Sequence, residues 1–319
     1  MKRLGAVARW GLTIILLGLA LRQVPLGEWL PQLGHLRLGW LLAAAFSMAC
    51  IVGINAWKWH ILLKVQRLKP RYSRVLYHYA VGYFFNSFVT GTGDIKRAAD
   101  MGREQGSMPR AVASVLAERW TGVIGQMGLA CCTVSAVLWH SLNVWPIVIT
   151  AVLLVAALVA VYMWFEKTPE RDFNASAPGW RTWLYRVRLA MSVYRGHRRT
   201  WWGCLGLSVI GPLLLVLIHL ELAYALGYQP SAWAMLLLVP TISVFAQLPI
   251  TINGFGIQDY FMVTLFQGTL TSAQALALSM VFHALRLCVG ACGGLLFALN
   301  PSPCPTNPAS LPDNGSAKL

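Results

Sequence analysis

Two polar, glycine-rich breaks carry the residues of this chain best suited to chemistry. The first, Asn86-Ser-Phe-Val-Thr-Gly-Thr-Gly-Asp-Ile-Lys-Arg97, supplies Asn86, Thr90, Gly91, Gly93, Asp94, Lys96 and Arg97. The second, Pro249-Ile-Thr-Ile-Asn-Gly-Phe-Gly-Ile-Gln-Asp259, supplies Pro249, Asn253, Gly254, Gly256 and Asp259. Free backbone amides at a helix start, followed by two cations, favour an anion, so the first break reads as a phosphate cradle. Glu118, Arg119 and Arg286 lie inside apolar sequence. Such charges cost roughly 2.5–3.5 kcal/mol each on membrane-insertion scales, so they must pair or face a cavity. The expected pairs are Arg119 with Asp94, and Glu118 with Arg97 or Arg286. Two roles follow: direct contact with an anionic headgroup, or a salt-bridge lattice that braces broken helices.

Catalysis finds little support. The chain has no His-Glu-x-x-His, Gly-x-Ser-x-Gly or Cys-x-x-Cys pattern, and no Walker or dinucleotide fingerprint. Its seven cysteines lie in apolar runs or the tail and read as small packing residues rather than a metal or disulfide framework. His219 and His283 fall inside apolar runs, where they pack, hydrogen-bond across helices or relay protons. The expectation is a binding or transport protein without cofactor, not an enzyme.

The elements that hold these residues must lie in a membrane. The chain is 57% hydrophobic and 12% charged, against roughly 25% charged in soluble proteins. Mean hydropathy is +0.57. Apolar runs at 39–57, 111–139, 146–165, 203–222 and 273–299 approach the ~20 residues a bilayer demands, and a shorter run at 10–22 reads as an uncleaved first helix. The net charge of +15 does not point to nucleic acid, because the cations concentrate in two inter-helix segments. Residues 58–74 hold Lys58, Lys64, Arg67, Lys69, Arg71 and Arg74, and residues 166–202 hold eight Lys or Arg. The positive-inside rule puts both segments, and both termini, in the cytoplasm.

That topology fails if residues 75–110 cross fully. A re-entrant hairpin with the first break near its tip restores the count, since non-helical backbone at membrane depth survives only where protein or a wet cavity satisfies it. A second hairpin over 233–268, opening from the other side, makes an inverted pair of the kind transporters build sites from; two full spans there leave the same parity. The fold expected is an all-α polytopic bundle of about six full spans plus two re-entrant hairpins. Its transmembrane domain covers 1–299: half one at 1–165, a basic linker at 166–202, and half two at 203–299. In the linker, Trp180, Trp183, Tyr185 and Tyr194 interleave with arginines, which suits an amphipathic helix on anionic headgroups or a plain charged connection. Residues 300–319, rich in Pro, Ser and Asn, read as a disordered tail.

With these pieces in order, the chain resembles the lysylphosphatidylglycerol synthase transmembrane domain family, the flippase-like domain of multiple-peptide-resistance factors and their stand-alone relatives. The resemblance rests on Trp57-Lys-Trp-His-Ile-Leu-Leu63, on Asn86 with Gly91-Thr-Gly-Asp94 and Arg97, on Glu118-Arg119, and on Pro249 with Asn253-Gly-Phe-Gly256 and Gln258-Asp259. Thr90 stands where the family usually has proline, Thr92 replaces one of its paired glycines, and Gln258-Asp259 replaces its common Arg-Glu. The resemblance implies a multi-span inner-membrane protein that moves a lipid with an anionic or aminoacylated phosphate headgroup between leaflets. It also leaves open an accessory protein that presents a polyprenyl-phosphate glycan, glycolipid or hopanoid intermediate to a lipid-modifying enzyme or glycosyltransferase. Only a short tail follows the membrane region, so a stand-alone member without the aminoacyltransferase domain is expected.

Overall fold

The computed structural model describes residues 18–19, 30–89, 91–138, 152, 156, 159, 179–247, 251 and 253–299. Nearly all of the 10–22 and 146–165 runs, together with Thr90, Pro249 and the 300–319 tail, lie outside the described residues.

Among the described residues the chain is helical, with no strand beyond one isolated bridge. The first half comprises α1 (Leu38–Val65), α2 (Tyr72–Phe88), α3 (Thr92–Glu104) and α4 (Met108–Leu138). After it come α5 (Gly179–Ser192) and then α6 (Arg198–Ala225), α7 (Ala232–Ala246), α8 (Ile257–Leu265) and α9 (Ser272–Leu299). Three helical stretches among the described residues, Leu38–Val65, Thr182–Ala225 and Ser272–Leu299, are long and apolar enough to cross a membrane. At 1.5 Å per residue, the 17, 13, 15 and 9 residues of α2, α3, α7 and α8 span about 26, 20, 22 and 14 Å. Each falls short of the roughly 30 Å of bilayer hydrocarbon.

The helices differ from the apolar runs for a clear reason: hydrophobicity stops where a membrane would, but a helix stops where its carbonyls are capped. α1 continues past residue 57 through Lys58 and Lys64 and ends on a turn with Arg67 at φ 60°. There Leu68 N–H donates to Leu63 O at 3.1 Å and Arg67 N–H to Lys64 O at 2.9 Å. α6 ends the same way: Tyr228 N–H donates to Ala223 O at 2.8 Å and Gly227, at φ 80°, to Tyr224 O at 3.1 Å. Pro70 and Pro230 follow at the same offset, and short helices begin at Tyr72 and Ala232.

The two halves are interleaved. α1 packs on α6, α2 on α9, and α4 on both α6 and α7. Close backbone approach makes this possible at particular glycines. A methyl at Gly293 or Gly294 of α9 would overlap the Ala80 carbonyl or the Phe84 ring of α2, and one at Gly125 of α4 would meet Ser208 of α6. The glycines at 290–294 thus form the packing face read from the sequence. One core cluster joins α6, α7, α8 and α9 to Ala44 and Met48 of α1, and another gathers Trp59, Leu63, Val75, Ala98, Met101, Ala111 and Val115 in the first half.

Within the 166–202 segment, the described residues 179–202 are more than a charged connection. Ala190, Met191 and Tyr194 are buried with Leu62, Val65, Ala113 and Ala117. Tyr194 donates its hydroxyl to Leu62 O at 3.2 Å, and Gln66 donates to Ala190 O at 2.7 Å. Trp180, Trp183, Leu184 and Leu189 remain exposed beside Arg186.

Candidate functional site

At the first break α2 ends at Phe88 and Gly91, at φ 91°, caps the start of α3. Asn86 Oδ1 accepts the amides of both Gly91 (3.0 Å) and Gly93 (2.9 Å). Those two donors, read from the sequence as free for an anion, are engaged by the protein's own side chain. Gly93 has no room for a side chain, because a Cβ would run into the Gly82 carbonyl. The resulting contact between α2 and α3 brings Asp94 and Arg97 beside α4.

Five charged residues converge there. Arg97 Nη2 donates to Glu118 Oε2 at 2.5 Å, and its Nε donates to Asp94 Oδ1 at 3.0 Å. Its guanidinium also lies over the rings of Trp59 (4.8 Å) and Tyr79 (4.7 Å). Arg119 donates to the Asp94 carboxylate at 2.7 Å. Lys58 Nζ stands 3.3 Å from Glu118 Oε1 and donates to Ser208 Oγ at 3.1 Å. Both expected pairs exist, with Arg97 rather than Arg286 serving Glu118. Three cations meet two carboxylates, so the lattice keeps one positive charge.

Exposure separates their roles. Arg97 is 2% exposed and serves as a brace between α3 and α4, whereas the Arg119 side chain is 48% exposed. Lys58, expected in a basic loop, is 2% exposed. Its acid is 60 positions away, and only the packing of α1 on α4 and α6 reveals it. Lys96 pairs with Asp100 at 2.7 Å and sits over Phe85 and Phe297, so it braces α3 rather than cradling an anion.

The second break is built from fewer charges. Asn253 (φ 52°), Gly254 (φ 82°) and Gly256 (φ 82°) turn the chain into α8. Asp259, fully buried, reaches back from the first turn to accept the Gly256 amide at 2.8 Å. It also accepts from Ser279 Oγ at 2.5 Å and stands 3.1 Å from His283 Nε2, on which Phe255 stacks at 4.0 Å. The partner of this acid is therefore a histidine from α9. Arg286, one turn further along α9, donates from Nη1 to Asn253 O at 3.1 Å and from Nη2 to Asn253 Oδ1.

Between the breaks lies a cavity of about 270 Å³. Lys58, Glu118, Arg119 and Arg286 supply its charge, and its other polar groups include Asn55, Gln126, Ser243, Gln247, Gln258 and His219. Met48, Ile51, Leu215, Val239 and Met262 form apolar wall. Of the residues singled out from sequence, Glu118, Arg119 and Arg286 line it; Asn86, Gly91, Gly93, Asp94, Lys96, Arg97, Asn253, Gly254, Gly256 and Asp259 do not. Gln258 belongs to the second break quoted from the sequence but was not singled out as a site residue there; Asn55, Gln126 and Gln247 were missed because isolated carboxamides carry no spacing signal.

The family model described as the lysylphosphatidylglycerol synthase TM region matches residues 6–294, nearly the whole chain. The chain belongs to this family. No curated protein matches it. Membership in the lysylphosphatidylglycerol synthase TM family, together with the long apolar helices, makes this a membrane protein with a lipid-related role. Both breaks, the charge lattice and the cavity lie within the matched region.

Proposed function

We propose that this chain is a lipid translocase of the inner membrane that binds the phosphate of a lipid headgroup in the cavity between its two broken helical pairs. The observation that carries the reading is the convergence of Arg119, Arg286 and Lys58 on one cavity in which, among the described residues, Glu118 is the single carboxylate of the lining. A headgroup drawn into that space exchanges water for fixed donors, which removes the several-kcal/mol cost of dragging a polar group bare through hydrocarbon. The acyl chains stay in lipid.

The short helices support the same reading. α2 with α3, and α7 with α8, are pairs of sub-bilayer helices joined by glycine turns, one pair in each half. Each pair acts as a re-entrant hairpin, the two halves are oppositely oriented, and both termini face the cytoplasm. Arg119 and Arg286 contact the phosphate, while Arg97 and Asp94 position Arg119 and the start of α3.

The test is leaflet exchange of fluorescent lipids by the pure protein in liposomes, with Arg119→Gln and Arg286→Gln as comparisons. Exchange by the parent and its loss in both variants is expected. Stable lipid binding by a folded protein that exchanges nothing overturns translocation and supports the accessory role, in which bound lipid is handed to a glycosyltransferase or other lipid-modifying enzyme.

A further inference from the structure

Along α5, apolar residues recur at Trp183, Leu184, Val187, Ala190 and Met191, the three- and four-residue spacing of one helix face. From Val187 onward this stripe is buried, with Ala190 and Met191 packed on Leu62 and Val65 of α1 and on Ala113 and Ala117 of α4. One turn earlier the same stripe is exposed, at Trp183 and Leu184. Leu189, Val193 and Trp202 add exposed apolar surface along α5, the short turn Val193–His197 and the start of α6.

The charges around this surface have one sign. Arg186, Arg195, Arg198 and Arg199 are exposed, and no Asp or Glu occurs between residues 173 and 220. A second copy of the surface would set arginine against arginine, so its occupant is anionic. Exposed tryptophan and leucine beside arginine suit a boundary that is apolar on one side and anionic on the other, the headgroup layer of a bilayer. Trp202 fixes the level: it stands in the second turn of α6, within a stretch long and apolar enough to cross a membrane, and tryptophan at the end of a span sits among headgroups. Arg198 and Arg199 precede it by one turn, at the height of lipid phosphates. Because the surface runs directly into that spanning stretch, the anionic body beside it is the bilayer rather than a soluble protein.

We infer that α5, the turn Val193–His197 and the start of α6 form a docking surface for the anionic lipids of the adjoining leaflet, separate from the cavity between the breaks. The arginines meet lipid phosphates, and Trp183 and Leu184 enter the apolar boundary beneath them. Tyr194 donates to Leu62 O at 3.2 Å and Gln66 to Ala190 O at 2.7 Å, so the surface is fastened to the end of α1 and lipid bound there holds α5 against the bundle. The inference requires a membrane protein and is independent of whether the cavity moves lipid.

The experiment places the full chain in nanodiscs of phosphatidylcholine doped with a small, equal amount of brominated phosphatidylglycerol or brominated phosphatidylcholine, and reads quenching of tryptophan fluorescence. The difference between the parent and Trp183→Phe isolates the signal of Trp183. Brominated phosphatidylglycerol should quench that signal at a concentration at least about tenfold lower than brominated phosphatidylcholine, because several arginines at an anionic surface each add attraction. The preference should shrink as salt is raised, since exposed charges are screened. It should disappear when Arg195, Arg198 and Arg199 are all replaced by Gln; Arg186→Gln alone should weaken it, and gives the same readout if the triple variant fails to fold. Equal quenching by the two lipids, quenching by neither, or an unchanged preference in the arginine variants overturns the inference. Quenching is read without transport, so failed leaflet exchange sinks translocation and leaves this surface standing.

Discussion

The two breaks place a positive-φ glycine before a short helix and an aspartate three residues later, Gly91 with Asp94 and Gly256 with Asp259. They then use that aspartate in opposite ways. In the first, Asn86 satisfies the turn's amides, which frees Asp94 to hold Arg97 and Arg119. In the second, no asparagine takes that part, and Asp259 itself accepts the Gly256 amide, with Ser279 and His283 filling its remaining capacity. One acid organises cations at the cavity edge; the other is consumed in fastening a turn. Who caps the helix decides which carboxylate is available for anything else.

That contrast can be broken most strongly at Arg97. Arg97→Ala leaves Glu118 buried beside Lys58 alone and Asp94 beside Arg119 alone, so a loss of about 3–5 kcal/mol, or no folded protein, is expected from denaturation in detergent. Arg97→Lys keeps the charge but not the fork, and should recover only part of the loss.

Gly93→Ala should cost about 1–3 kcal/mol by forcing α3 away from the Gly82 carbonyl. Gly91→Ala strains the left-handed turn without such an overlap and should cost less in the same assay.

Asp259→Asn keeps the shape of the second turn but weakens the bonds from Gly256, Ser279 and His283. A loss of about 1–3 kcal/mol is expected, with no change in leaflet exchange by the protein that remains folded. A changed exchange rate would show that the second acid shares the first one's role.

Arg119→Gln should have the smallest effect on stability, within about 1 kcal/mol, because the Arg119 side chain is half exposed. Its effect on lipid exchange should nevertheless be a loss of at least about tenfold, equivalent to about 1.4 kcal/mol of headgroup contact. Stability and exchange falling together would assign Arg119 to the bracing lattice with Arg97.

Much of this was legible in the sequence, because membrane insertion penalises lone charges so heavily that an internal Asp, Glu or Arg announces a partner. The Asp94–Arg119 pair, the two breaks and the glycine face of α9 followed from that rule and from helix packing, whereas Glu118 was left between Arg97 and Arg286. Lys58 did not, because a cation at the end of an apolar run reads equally as a loop anchor. His283 was singled out as an intramembrane histidine, but not as the partner of Asp259.

The sequence by itself determined the helical membrane class, the family and the residues that break each half, since hydropathy, glycine and buried charge are local properties. Only the tertiary structure decided which of those residues face a common space. Asn86 captures the amides that looked free, Arg97 turns inward between Trp59 and Tyr79, and Gln258 and Asn55 come together with Arg119 and Arg286 from four different helices. The physical reason is that a hydrogen-bond partner or a cavity wall is set by helices meeting across the bundle, and no spacing along one chain encodes that meeting.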